Sequence, residues 1–181
     1  VSEFDSWYGP EGTGSGIGSS PAYTAGYRAF LERFMQEHDI RTVLDVGCGD
    51  WQFSRLVQWG DRFYVGQDVV HALVDQLNSD HGGPLRRFVT ELPDEPFDLV
   101  ICKDVMIHLP NAEVMELLER LSHHKHLLLV NDFSEARVDC ERGHYRALDV
   151  TGPPFNLGAE LVYTFPQLNN ETKVVHHRWP R

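Results

Sequence analysis

The polar and apolar positions along this chain change period several times, and each change marks an element. From Ala22 to His38, Tyr23, Tyr27, Phe30, Leu31 and Phe34 recur at three- and four-residue spacing, the repeat of a helix with one buried face. Thr42–Val46 is then a short run of strand formers. Trp51–Trp59 reads as a helix, Phe63–Val65 as a strand, His71–Asn78 as a helix and Leu85–Val89 as a strand. Leu99–Val105 and Leu127–Phe133 are apolar enough for strands buried on both faces. Between them, Asn111 is placed to cap a helix over Ala112–Ser122, with Glu113 near its positive end. Two last strand candidates, around Leu161–Phe165 and Lys173–His177, have little helix between them and read as an antiparallel edge hairpin. Strands alternating with helices predict an α/β fold, a doubly wound and mostly parallel sheet.

Length and composition narrow this picture. The 181 residues suit one domain, with residues 1–40 forming an N-terminal Gly-rich segment and helix and 41–181 the core. Sixteen Lys and Arg against 27 Asp and Glu give a net charge of −11, which argues against a nucleic-acid partner held by basic patches. Three cysteines, Cys48, Cys102 and Cys140, show no paired spacing and fit reduced thiols in a cytoplasmic protein. No apolar run is long enough to cross a bilayer, and no leader-like pattern opens the chain.

The chemistry concentrates in "TVLDVGCGDW", Thr42–Trp51. Gly47 and Gly49 sit where the first strand turns toward its helix, the place where doubly wound sheets bind ligands. A dinucleotide fingerprint would require glycine or alanine at position 52, where Gln52 stands. Asp45 and Asp50 flank the glycines, and like charge makes them poor company for a pyrophosphate but good company for an ammonium or sulfonium. Asp68 closes the second strand 68 − 49 = 19 positions after Gly49, where a carboxylate can accept both hydroxyls of a ribose. The ligand that fits is an adenosine carrying an amino acid. The bland alternative is that Asp45 orders the loop and Asp68 caps the next helix.

"VLDVGCGDW", "GQD" and "DLVICKDVMIHLP" together resemble the class I methyltransferases that depend on S-adenosylmethionine (SAM), over about Arg41 to Phe133. That resemblance implies a Rossmann-like, seven-stranded sheet with an antiparallel last strand, and SAM as cofactor with S-adenosylhomocysteine (SAH) as product. It implies that Asp45, Gly47 and Gly49 surround the methionine moiety, with Trp51 in the place of the customary third glycine. Asp68 would hold the ribose, Val69 would lie along the adenine, and Lys103 would lie beside the cofactor through its backbone. Thr90 and Glu91 are both open as partners of the adenine amino group.

Methyl transfer from a sulfonium is chiefly a problem of alignment, and a hydroxyl acceptor also needs a base. "CKDVMIHL" follows the fourth strand, whose loop faces the methyl group in this architecture. His108 is the candidate base, and Asp104 a base or orienter of substrate. His108 could equally bond a backbone carbonyl near Pro110. Asp104, Asn131 and Asp132 resemble the placement of metal ligands in catechol-type methyltransferases and could alternatively hold Mg²⁺, although rim-lining is the commoner role of such residues and metal is not expected. "SHHKH", His123–His126, reads as a solvated helix end, and His176 and His177 as facing opposite sides of a strand.

Two segments offer substrate contacts. "SWYGPEGTGSGIGSS" reads as a lid with Trp7 and Tyr8 as apolar walls, or as an arm packed on the surface. "ERGHYRALDVTGPPFNL" carries His144, Tyr145 and Arg146 toward the pocket mouth, where Arg146 either grips an anionic group or pairs with an acid such as Asp149. The resulting expectation is a SAM-dependent methyltransferase acting at oxygen or nitrogen of a small molecule, a sugar or secondary metabolite. Its rivals are a SAM-binding regulatory subunit without catalysis, a protein or peptide methyltransferase, and a nicotinamide oxidoreductase.

Overall fold

The structure is a computed structural model and describes residues 3–136, 138–166 and 172–178. Two compact units divide the chain, Val1–Glu95 and Pro96–Arg181. The seven strands belong to one mixed sheet, as the alternating pattern predicted.

In the first unit, β1 (Thr42–Val46), β2 (Phe63–Gln67) and β3 (Arg86–Val89) run parallel in the order β3-β2-β1. Helix α1 (Pro21–Glu37) starts on a proline, whose fixed φ suits a first helical position. It buries Thr24, Tyr27, Phe30, Leu31, Phe34 and Met35, the stripe read from the spacing. Helix α2 (His71–His81) buries Val74 and Leu77. The expected helix over Trp51–Trp59 does not form; only a single 3₁₀ turn, Ser54–Leu56, stands there. Trp51 adopts the left-handed φ of 59°, which stops a helix from propagating backwards. Farther along, the Ser54 carbonyl accepts the Trp59 indole N–H at 2.7 Å, and the Ser54 hydroxyl donates to Asp45.

In the second unit, β4 (Leu99–Lys103) and β5 (His126–Asp132) are parallel and wholly buried. β7 (Thr172–Arg178) runs antiparallel against β5, and β6 (Glu160–Pro166) antiparallel against β7, the expected edge hairpin. β4 ends two residues earlier than its apolar run because Asp104 takes a φ of 59°. Helix α3 (Asn111–Arg120) buries Val114, Leu117 and Leu118. Asn111 is its first residue and not its cap; the carboxylate of Asp139 accepts the Asn111 N–H at 2.8 Å instead. The histidine run also differs from expectation. His123 is exposed, but His124 and His126 are buried. His124 Nδ1 accepts the Phe97 N–H at 3.1 Å, and His126 Nδ1 lies 3.0 Å from Nε2 of His177 on β7. Among the described residues no helix is long and apolar enough to cross a membrane.

Candidate functional site

At the carboxyl end of β1 the chain turns through Gly47 and Gly49 with φ of 67° and 55°, conformations that glycine adopts without strain. Asp68, just past β2, organises this turn. Its Oδ2 accepts the Gly49 N–H at 3.0 Å and its Oδ1 the Val70 N–H at 3.1 Å. Burial raises the Asp68 pKa above its usual value, with the N–H bonds of Val70 and Gly49 opposing that rise. Asp45 is buried within β1, and its Oδ2 accepts the hydroxyls of Ser54 and Tyr64, each at 2.7 Å. The loop-ordering role weighed for Asp45 is therefore present in the geometry, whereas α2 has Val70 as its N-cap with no side-chain cap bond, and Asp68 holds the turn at Gly49 instead of capping the helix.

Asp50 differs from its neighbours. Its Oδ2 accepts the Ser15 N–H at 3.3 Å, and its own N–H donates to Ser15 Oγ at 3.0 Å. Its Oδ1 is buried and meets no donor among the described residues. The Gly/Ser-rich N-terminal segment thus rests on the glycine turn. A Cβ on Gly49 would lie 2.1 Å from Ser15 Oγ and 2.9 Å from the Tyr8 hydroxyl, and one on Gly14 would lie 2.6 Å from Asp50 Oδ2. Tyr8 OH lies 3.4 Å from Ser15 Oγ, and burial raises the phenol pKa far above its usual value. Trp7 is half-buried and packs edge-on against Phe4 at 5.0 Å.

Trp51 points elsewhere. Its indole is buried against Tyr64, His81 and Phe88, with the Arg86 guanidinium 4.4 Å from the ring centroid. This packing offsets the cost of a tryptophan at positive φ, where glycine is customary, and leaves only the backbone of Trp51 to the turn. Val69 is 43% exposed, a large apolar side chain left open directly after Asp68.

The second unit carries a different cluster. Asp104, at the end of β4, receives Lys103 Nζ at 2.5 Å on Oδ2 and Lys173 Nζ at 2.6 Å on Oδ1. Lys173 also reaches Asp132 Oδ2 at 2.9 Å, because the register of β7 on β5 sets the two residues opposite each other. Both ammoniums are buried, with side chains 2% and 4% exposed. Burial works to raise the Asp104 pKa, but the charges of Lys103 and then Lys173 outweigh it and hold the carboxyl below its usual range. For Lys173, burial works downward, and Asp104 followed by Asp132 carries the pKa upward overall. An ammonium so placed stands between two of the three oxygen side chains weighed as Mg²⁺ ligands. The third, Asn131, is 1% exposed, and neither of its amide atoms meets a partner among the described residues. No group of three or more His, Cys, Asp or Glu among the described residues could hold a metal ion.

His108 ends a 3₁₀ turn, Met106–His108. Its Nδ1 lies 3.2 Å from the His144 carbonyl, and since a carbonyl only accepts, Nδ1 carries the proton. In the neutral ring the basic lone pair then belongs to Nε2. Burial lowers the pKa of His108; the His144 carbonyl and Asp104 oppose this without reversing it. The strand of chain at 143–146 is stitched to the same turn, with Gly143 N–H donating to the His108 carbonyl at 2.8 Å and Arg146 N–H to Ile107 at 2.9 Å.

His144 and Tyr145 are exposed, and the Tyr145 ring lies 6.2 Å from that of His108. Arg146 is buried. It donates from Nη1 to Asn111 Oδ1 at 2.5 Å and to the Val138 carbonyl at 2.8 Å, and from Nη2 to the Leu109 carbonyl at 2.9 Å. The alternative pairing with Asp149 is not made; Asp149 accepts the N–H and hydroxyl of Thr151 at 2.9 and 2.7 Å.

A family model described as a methyltransferase domain matches residues 44–147, more than half of the chain. The chain belongs to this methyltransferase family. The likeness to class I SAM-dependent methyltransferases read from the sequence therefore holds. No curated protein gives a significant sequence match.

Solved structures show the same fold. Magnesium protoporphyrin IX methyltransferase (ChlM) from Synechocystis PCC 6803 with bound SAH aligns at a TM-score of 0.65 and 15% identity, covering 94% of this chain and 90% of that one. The N-methyltransferase NodS from Bradyrhizobium japonicum WM9 aligns at 0.65 and 12%, covering 88% and 98%. Mitomycin 7-O-methyltransferase MmcR aligns at 0.62 and 12%, covering 86% of this chain and 54% of its own. The architecture is that of the Rossmann-like methyltransferases.

Residues of these clusters that escaped sequence reading include Ser15, Tyr64 and Lys173. Tyr64 looks like an ordinary core aromatic, and Ser15 like one serine in a flexible tract. Lys173 left one faint signal, a lysine preceding the apolar pair Val174–Val175 in a strand, where a charge on a buried face calls for a partner.

Proposed function

We propose that this methyltransferase moves the methyl group of SAM to an oxygen or nitrogen of a small-molecule acceptor, using His108 as the base. SAM, when bound, supplies a methyl group already activated by a positively charged sulfur. The residues of the first unit fit such a molecule. The Asp50 carboxylate, met by the neutral Ser15 N–H, lies beside the glycine turn, where a negative charge favours an ammonium. Asp68 receives the ribose hydroxyls on its remaining lone pairs while it holds the turn. The exposed face of Val69 lies along the adenine. Asp45, Gly47 and Gly49 shape the cradle, Trp51 contributes its backbone, and Lys103 contributes through its peptide at the end of β4. The segment bearing Trp7 and Tyr8 serves as a lid latched to the turn through Ser15.

The observation that carries the chemistry is the hydrogen bond from His108 to the His144 carbonyl. It fixes the tautomer, and burial keeps the ring neutral near pH 7, so Nε2 is ready to take a proton from a hydroxyl acceptor. Asp104 is a poor proton acceptor because two ammoniums stabilise its charge, and it acts as an orienting residue. His144 and Tyr145, exposed beside this turn, contact the acceptor. Three free thiols support a reducing, cytoplasmic setting. Calorimetry with SAM, SAH and NAD in parallel tests the reading. Binding of SAM and SAH is expected, and binding of NAD alone would end the proposal.

A further inference from the structure

The second unit holds a cavity of about 390 Å³ that none of the roles above uses in full. Its walls include Asn111, Ser134, Glu135, Arg146, Asp149 and Phe155. Small-molecule sites span about 300–1,000 Å³, so this one suits a single ring with its substituents.

Arg146 is the built part of the wall. It is 8% exposed, and its three bonds to Asn111 and to the Val138 and Leu109 carbonyls lock the guanidinium in place. Its Nε–H is buried and meets no acceptor among the described residues. Glu135 and Asp149 line the same space as acceptors of hydrogen bonds. Phe155 adds an aromatic wall, with the Arg146 guanidinium 5.7 Å from its ring centroid.

A wall carrying both signs selects against ions. An anionic ligand would meet Glu135 and Asp149, and a cationic one would meet Arg146. Hydroxyl groups, which donate and accept at once, satisfy both kinds of partner without desolvating a full charge. The cavity is also tied to the base, since the Arg146 backbone N–H is bonded to Ile107, next to His108, at 2.9 Å. We infer that this cavity is the acceptor subsite and that it takes a neutral, polyhydroxylated ring of the pyranoside type. The inference rests on the methyltransferase reading and names its acceptor class.

The test is saturation-transfer NMR on the full chain with SAH present, using a series of methyl pyranosides as probes and benzoate and benzylamine as charged comparators. At least one pyranoside is expected to bind, with the comparators silent. Glu135→Gln, at an exposed position, should weaken that pyranoside about tenfold by removing a hydrogen bond to charge. Phe155→Ala should weaken it as well, and both variants should keep the parent affinity for SAH. Silence from every pyranoside, preferential binding of a comparator, or indifference to both substitutions would overturn the assignment. Calorimetry with SAH separates the two levels: SAH binding without any pyranoside binding removes only this subsite, whereas loss of SAH binding removes the enzyme reading and the subsite with it.

Discussion

In Val1–Glu95 the carboxylates of Asp50 and Asp68 are met by backbone N–H groups, and Asp45 by two hydroxyls, whereas in Pro96–Arg181 Asp104 and Asp132 are met by the buried ammonium of Lys173 and Asp104 also by Lys103. Neutral donors order a carboxylate without cancelling its charge, so any charge on the acids of the first unit stays unbalanced by their bonded partners. Ammonium donors cancel it, so the charges of Asp104 and Asp132 are balanced within the second unit. Two clusters of acids thus differ in how their charge is balanced, and the type of donor decides it.

The sharpest way to break this contrast is Lys173→Met. It leaves Asp104 short of one partner and Asp132 without its bonded cation, and should cost about 3–5 kcal/mol of stability in urea unfolding. Adding Asp132→Asn should recover part of the loss, since Lys103 still balances Asp104; no recovery would mean that Lys173 acts through packing. Next in size is His108→Ala, which should lower kcat by about 10²–10⁴-fold with a hydroxyl acceptor while sparing SAH affinity. Because the folded pKa lies below the usual histidine value of 6.5, the neutral base predominates at pH 7. The acid limb of kcat/KM should therefore fall below pH 6.5, and a limb above it would contradict the burial argument.

In the first unit, Asp68→Asn keeps the shape and removes the charge, and should weaken SAH binding by about 1.5–3 kcal/mol in calorimetry. An unchanged affinity would mean that Asp68 only orders the turn. The smallest effect is expected from Gly49→Ala, which places a methyl group 2.1 Å from Ser15 Oγ at a positive φ. It should destabilise the protein by somewhat more than about 1 kcal/mol. A double variant with Ser15→Gly should relieve the collision with Ser15 but neither the close approach of the Tyr8 hydroxyl nor the backbone strain.

What could be read from the sequence divides along physical lines. Strands and helices follow from local period, so α1, β1, α2 and the edge hairpin stand where the pattern put them, within a few residues. The missing helix after β1 depends on one residue, Trp51, whose left-handed backbone is held by aromatic partners on β2 and β3 and so is invisible locally. The glycine turn and Asp68 were legible because their spacing is short. The partnership of Asp104 with Lys173 was not, because strand register brings them together across 69 positions. Arg146 carries two readings in the sequence, gripping an anionic group or pairing with an acid such as Asp149; two backbone carbonyls and Asn111 take most of its donors instead, a fate no one-dimensional pattern encodes.

The position of Lys173 on the last strand has a consequence for biosynthesis. Asp104 and Asp132 leave the ribosome 69 and 41 residues ahead of it, an interval on the order of seconds. Until β7 arrives, the nascent chain holds these two acids with Lys103 as their one buried countercharge among the residues described above.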